Sequence, residues 1–389
     1  LKNFVLSLQM KRNKNFMKIF LLFISLLLPF LGMAQQTIEG SIIHDGMDRG
    51  YVLYIPDNYS GNEAVPLILN YHGYTKTAYD QMYYGDFRAI ADTAGFLLVH
   101  PQGSLHLGLT HWNVGGWTIG STVDDVGFTE ALIDSLSAEY NIDPLKVYAT
   151  GMSNGGFMCF LLACQLSERI AAIASVTGSM TPETYDPCSP VHPTPILQMH
   201  GTDDPVVSYT GASWTKPIAD VLQYWVDYNN CFGIPTTTAL PDLDPNDGST
   251  VEHIVYHDGD SSVNVEHYKI TGGEHTWPGN ALGGSGTNYD IDASVEIWKF
   301  FMRYNLDGAI LPTGLEAISE DDLSIKVFPN PFSNYTTISF QDFKENAEFT
   351  LFNTVGESIV SYKFSGNEFI LKRNSLPAGL YIFQITDNG

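Results

Sequence analysis

The sequence predicts an α/β protein: a doubly wound, mostly parallel sheet in residues 35–305, then a small all-β sandwich in residues 323–389, joined by a linker over 306–322. Three observations carry this expectation. Almost wholly apolar runs such as Val65-Pro66-Leu67-Ile68-Leu69-Asn70-Tyr71 read as strands covered on both faces. Helical stretches separate them, so strands and helices alternate to about residue 304. Beyond the charged Glu320-Asp321-Asp322, only short alternating strands remain.

Residues 37–44 and 51–56 alternate in polarity around Asp45-Gly46-Met47-Asp48-Arg49-Gly50 and read as an opening antiparallel hairpin. Buried strands follow over 65–71, ending in His72-Gly73-Tyr74, and over 95–100, with a helix over 87–93 between them. Residues 104–122 read as loop. Asp124-Asp125 caps a helix to about residue 140, with its acids where the helix dipole favours them. A strand over 146–150 leads into Gly151-Met152-Ser153-Asn154-Gly155, and the apolar run 157–166 reads as a buried helix. Strands over 170–176 and 195–199, a helix over 218–228, strands over 251–256 and 263–270, and an amphipathic helix over 291–304 complete the large unit. In the tail, strands are expected over 325–328, 336–340, 349–352, 369–371 and 380–385. Turns there are marked by Pro329-Asn330-Pro331, Val355-Gly356 and Pro377-Ala378-Gly379.

Lys18 precedes an apolar run over 19–32 that ends in Gly32-Met33-Ala34, the pattern of a signal peptide cut after Ala34. The run is too short and wrongly flanked for a spanning helix, so no membrane segment is expected in the mature form. No cysteine follows the cut, which argues against a lipid anchor. Met17 makes a better start than Leu1, so residues 1–16 read as upstream sequence. Removing the leader takes five of the 19 cations and none of the 43 acids, leaving 14 against 43, a net charge of −29. Such a field repels nucleic acid and anionic membranes and suits a secreted protein acting on a neutral substrate. Four cysteines remain, and export permits disulfides. Cys164, near the end of its helix, can meet Cys188 in the next loop; Cys159 reads as a small core residue.

Gly151-Met152-Ser153-Asn154-Gly155 is a G-x-S-x-G turn between a strand and a helix, the setting of a nucleophile elbow. A serine nucleophile needs a base, and the base an orienting acid, which follow it in the order acid, then His. Asp204, after an apolar strand, is the first choice for the acid and Asp203 the runner-up. Among His253, His257, His267 and His275, only His275 lies in a glycine-rich loop after a strand, so it is the expected base. The oxyanion donors are expected to be the Asn154 and Tyr74 backbone N–H groups. His72 is expected to shape its turn and not to transfer protons. Trp112, Trp117 and Trp277 flank these residues in sequence and are assigned to substrate binding in an aromatic cleft. For Trp117, packing on the sheet is an equal alternative. No metal or organic cofactor is expected.

Trp112-Asn113, Asp124-Asp125-Val126-Gly127-Phe128, Tyr148 to Gly156, His200-Gly201-Thr202-Asp203-Asp204-Pro205 and His275-Thr276-Trp277-Pro278-Gly279 together resemble the polyhydroxybutyrate-depolymerase-like esterase family, which includes feruloyl and acetylxylan esterases. The resemblance spans about residues 38–304 and implies an α/β-hydrolase fold with a Ser153, Asp204, His275 triad. Relatives often carry a cysteine near Tyr256-His257 that could pair with one like Cys231; this chain has none there. Val327-Phe328-Pro329-Asn330-Pro331-Phe332 and Leu376-Pro377-Ala378-Gly379-Leu380-Tyr381 resemble the C-terminal sorting domain of type IX secretion in Bacteroidota. That resemblance implies the export machinery as a partner, and a last strand beyond Gly389. The expected function is a secreted serine esterase acting on a polymer or its fragments, with feruloyl or acetyl esters of plant polysaccharide favoured. The alternatives are a depolymerase of polyhydroxyalkanoate or of an aromatic polyester such as PET, and a non-catalytic carbohydrate- or surface-binding protein. A peptidase on the same fold has no specific feature in its favour.

Overall fold

The computed structural model describes residues 36–310, 325–329, 332, 334–352, 358–373, 376 and 381–386. The expected leader, most of the linker and most of the three tail turns lie outside the described residues. The chain divides into two compact units, residues 1–310 and 311–389.

The large unit opens with β1 (Gln36–His44) and β2 (Met47–Ile55), paired antiparallel. Their connection is the two-residue turn Asp45-Gly46, with φ of 49° and 73°, and not the six-residue loop expected. Asp-Gly tolerates the positive φ that a tight hairpin turn requires, so the strand can start again at Met47. Next come β3 (Val65–Tyr71), α1 (Ala78–Tyr84), α2 (Arg88–Ala94) and β4 (Leu97–Pro101). The stretch read as loop contains a hairpin, β5 (Ser104–His106) and β6 (Leu109–His111). Then follow α3 (Asp125–Glu139), β7 (Ile142–Met152), α4 (Asn154–Gln165), β8 (Ala172–Val176), α5 (Pro182–Tyr185), β9 (Ile196–Gly201) and α6 (Ile218–Tyr228). The unit ends with β10 (Thr236–Ala239), β11 (Thr250–Tyr256), β12 (Val265–Thr271), α7 (Ala293–Phe301) and the short ribbon of β13 (Tyr304–Asn305) and β14 (Gly308–Ala309).

Ten of these strands form one sheet in the order β1-β2-β4-β3-β7-β8-β9-β12-β11-β10. The inner run from β4 to β12 is parallel throughout, and the outer strands at both edges are antiparallel. Strand periodicity explains the two cores. Leu67 and Leu69 join Val147, Ala149, Phe157 and Trp225 on one face, whereas Ile68 joins Tyr148, Leu197 and Phe301 on the other. Tyr148 stacks on Phe301 with ring centroids 4.7 Å apart and donates its hydroxyl to the Tyr304 carbonyl at 2.6 Å. The parallel arrangement brings the carboxyl ends of β3, β7, β9 and β12 to one edge, where such sheets carry their chemistry. Among the described residues, no helix is long and apolar enough to cross a membrane.

The tail has β15 (Ile325–Phe328), β16 (Tyr335–Phe352), β17 (Ser358–Lys372) and β18 (Ile382–Thr386), all antiparallel. Two short strands expected over 336–340 and 349–352 are parts of the single long β16, and β17 begins well before the expected residue 369. Register shifts between Ser339 and Ala347 bend the β16–β17 ribbon. Phe349, whose ladder partner is Tyr362, thereby stacks at 4.5 Å on Phe369, whose partner is Ile338. The folded ribbon makes the two layers of a small sandwich. The first part of β17 carries its own alternation, and its Val360 and Phe364 pack against the tail core.

Candidate active site

The turn at Ser153 is shaped by a close approach of β3. Ser153 has φ 55° and ψ −120°, a strained conformation for a residue with a side chain. Its N–H donates to the Val176 carbonyl at 2.9 Å, and its own carbonyl accepts from Phe157 at 3.0 Å. A Cβ on Gly151 would stand 2.7 Å from the Tyr71 carbonyl oxygen, and one on Gly155 only 2.1 Å from it. The G-x-S-x-G spacing is thus the room that the end of β3 needs to pass the elbow. Gly155→Ala is expected to destabilise the chain by at least ~2 kcal/mol, read as a lower urea midpoint, since backbone and not a flexible side chain must yield.

The β9 and β12 strands are parallel neighbours, so the turns that follow them lie side by side. A Cβ on Gly201 would meet the Gly273 carbonyl at 2.1 Å, and Asp203 donates its N–H to that carbonyl at 3.0 Å. This contact brings Asp204 against His275, with Nδ1 to Oδ2 at 2.7 Å. Asp204 Oδ1 accepts the N–H groups of Val206 and Val207, both at 2.8 Å, and His200 Nε2 stands 3.4 Å from Oδ2. Burial alone would raise the Asp204 carboxyl, but hydrogen bonds from His200 and His275 outweigh it and hold the group well below the usual carboxylate range. Asp203 is exposed and accepts only the Thr202 hydroxyl, so the pairing with His275 falls to Asp204. Ser153 and His275 line one cavity of about 580 Å³, together with Gly73 and Tyr74.

The other three candidate bases lie elsewhere, two of them with side-chain partners. His253 pairs with Glu266 at 2.9 Å and stacks on Tyr268, and His267 is buried between the Gln198 carbonyl and the Tyr209 hydroxyl. His257 lies just beyond β11, where its carbonyl accepts the Phe232 N–H. His72 is buried, with Nδ1 donating to the Gly73 carbonyl at 2.8 Å and Nε2 accepting the Gly103 N–H at 2.9 Å. Burial depresses His72 to about 4, and His100 and His267 to about 3. A depressed histidine contributes stability that is complete above its unfolded value near 6.5 and is lost as pH falls through the folded value. The melting temperature is therefore expected to fall between pH 6.5 and 4 at fixed ionic strength. His100→Phe, which removes one such group, should flatten that slope; an unchanged slope would contradict the buried neutral histidine.

Two of the three tryptophans assigned to substrate do not reach it. Trp112 is fully buried against Tyr71 and His72. Trp277 is 2% exposed, packs on Phe87 and donates its indole N–H to Ser294. Both are core residues, because the sheet edge beneath these loops has apolar faces left to cover. Trp117 is half-buried and packs edge-on against Phe157 and Trp214, each at 5.0 Å. The apolar and aromatic walls of the cavity are instead Tyr83, Tyr84, Met152, Val206 and Leu282, with Lys76, Asp80 and Gln81 as polar lining. Tyr83 and Tyr84 belong to α1, which the sequence reading missed. The available signal was Thr77 and Asp80, which form a reciprocal capping box at its start.

Cys164 at the end of α4 is disulfide-bonded to Cys188, and Cys159 and Cys231 are free thiols. Among the described residues, the potential metal ligands that converge are His44, Asp45 and Asp124, and Asp124 already caps α3.

Residues 49–214 match the family model described as esterase PHB depolymerase, and residues 326–389 match the secretion system C-terminal sorting domain. Within curated relatives, the chain is 28% identical over 280 residues to a bifunctional acetylxylan esterase/xylanase of Neocallimastix patriciarum, covering 72% of this chain and 37% of that protein. It is 31% identical over 198 residues to feruloyl esterase B of Piromyces equi, covering 48% of this chain and 37% of that protein. The chain thus spans little more than a third of the length of these two relatives. The acetyl xylan esterase of Aspergillus awamori has the same fold, with a TM-score of 0.50 at 15% identity, over 69% of this chain and 99% of that one.

Proposed function

We propose that this chain is an exported serine esterase that cleaves carboxylic esters of a polymer or its fragments through an acyl-enzyme. The observation that carries the proposal is the pairing of buried Asp204 with half-buried His275, which lines the same cavity as the strained Ser153. In this reading Ser153 Oγ attacks the ester carbonyl while His275 Nε2 takes its proton. Asp204 holds the imidazole through Nδ1 and stabilises the imidazolium as it forms. The N–H groups of Asn154 and Tyr74 receive the developing oxyanion. His275 then protonates the departing alcohol, and water, activated by the same imidazole, releases the acid. The sorting domain match supports delivery to the cell surface or medium by the type IX machinery.

Acyl groups of plant polysaccharide are the favoured substrates. The support is the activity of the relatives, acetylxylan and feruloyl esterases, and a cavity whose apolar and aromatic walls, Tyr83, Tyr84, Met152 and Leu282, suit an apolar or aromatic acyl group. The family description favours a second reading, polyester depolymerisation. The test is a panel of methyl ferulate, acetylated xylan, polyhydroxybutyrate and a short nitrophenyl ester, with a fluorophosphonate probe mapped by mass spectrometry. Turnover of the first two, with the probe on Ser153, is the expected result. Preference for polyhydroxybutyrate would transfer the assignment to polyester, and a folded chain that neither turns over the panel nor takes the probe would overturn it in favour of a binding protein.

A further inference from the structure

We propose that Trp112 is a positioning residue that holds the two halves of the oxyanion hole in register. The inference rests on the reading of Asn154 and Tyr74 as oxyanion donors. Those donors arise from different segments, one at the start of α4 and one beyond β3. Trp112 reaches both. Its backbone N–H donates to Asn154 Oδ1 at 2.7 Å, and its carbonyl accepts from Asn154 Nδ2 at 3.1 Å. Its indole N–H donates to the His72 carbonyl at 2.8 Å. Both Trp112 and the Asn154 side chain are fully buried, so these bonds do not compete with water.

The effect on each donor differs. Asn154 spends both ends of its amide on one residue, which fixes the first turn of α4 relative to the loop. On the other side, His72 and Gly73 set the peptide plane that bears the Tyr74 N–H. That plane includes the Gly73 carbonyl, which the His72 imidazole holds at 2.8 Å. The Lys76 N–H donates to the same carbonyl at 3.1 Å, so the plane is held from both sides. By tying the His72 carbonyl, Trp112 fixes the residue from which that imidazole extends. Trp112 is itself anchored: the next N–H, of Asn113, donates to Asp125 Oδ2 at 2.7 Å, and Asp125 Oδ1 accepts from Arg49 at 2.6 Å. Arg49 is buried and leaves Nε and Nη1 without a partner. A pair buried at that cost is weak as a source of stability and is better explained as an anchor.

The test uses the full chain. Trp112→Phe removes the indole N–H and keeps a ring against Tyr71. Asn154→Asp keeps the backbone donor but replaces the amide that grips the Trp112 carbonyl. Each is expected to lower kcat on a short nitrophenyl ester by roughly 10- to 100-fold with KM nearly unchanged, in line with the cost of a misplaced reacting group. Affinity for a boronic acid, whose tetrahedral adduct occupies the hole, should fall by a similar factor. A purely structural role would lower the melting temperature without this kcat-selective loss. If both variants keep wild-type kcat and boronate affinity, or lose only in KM, the proposal is overturned; should Trp112→Phe not fold, Asn154→Asp decides alone. A wild-type chain that the boronate does not inhibit would instead sink the oxyanion reading beneath it.

Discussion

Ser153→Ala is expected to reduce kcat for a short nitrophenyl ester by about 10⁶, the scale on which serine hydrolases respond to loss of the nucleophile. The size follows from the division of labour. In the proposed mechanism His275 and Asp204 act only by moving the serine proton, so their contribution vanishes with Oγ, and the oxyanion donors alone leave a weak residue of activity. The fold should survive the change. Ser153 is placed by its backbone, through N–H to Val176 and carbonyl to Phe157, and no side-chain cap bond is lost at α4. Equal melting temperatures with loss of turnover and of fluorophosphonate labelling are the predicted result. Retention of more than a small fraction of activity would move the nucleophile elsewhere.

Asp204→Asn is expected to lower kcat by roughly 10⁴ without unfolding the chain. The two carboxylate oxygens have separate tasks. Oδ1 accepts the Val206 and Val207 N–H groups, so an amide keeps its oxygen there and turns its NH₂ toward His275. That NH₂ needs an acceptor, which forces the imidazole proton from Nδ1 to Nε2, the nitrogen that must receive the serine proton. The variant should therefore bind substrate with little change in KM and fail in the chemical step. Asp203→Asn, on the exposed side of the same turn, is the control and should keep nearly full activity. A reversal of the two results would exchange the roles of the neighbouring acids. Because the Asp204 carboxyl is held low, its contribution to stability is present above the ordinary aspartate value and is lost only as pH falls through the depressed one.

The residues legible from sequence were those with a local steric or topological reason. The elbow glycines announce themselves because a backbone carbonyl leaves no room for a Cβ. The pairing of Asp204 with His275 follows from parallel strands, since whatever leaves β9 and β12 must emerge at one edge. Asp203 and Asp204 could not be separated by that logic; the choice depends on which carboxylate the Val206 and Val207 N–H groups turn inward. The tryptophans misled for a related reason. An aromatic in a glycine-rich loop signals a tight packing demand as readily as an open cleft, and only the path of the loop over β3 and α4 distinguishes them. The cavity wall was missed because α1 is short and its tyrosines follow a capping signal, not an apolar period.

The Cys164–Cys188 bond has a consequence for how the chain is made. It closes 24 residues of sequence between the far end of α4 and the loop after α5. In the chain-entropy account a crosslink of that span is worth about 3 kcal/mol. The helix that begins next to Ser153 is thus moored at its opposite end by a bond that a reducing cytosol does not form. Material produced in such a compartment would be a different thermodynamic object from the exported protein, with the same sequence and four thiols. Its half-life under heat, and the order in which its parts loosen, would then report the oxidation history of the preparation as much as the fold.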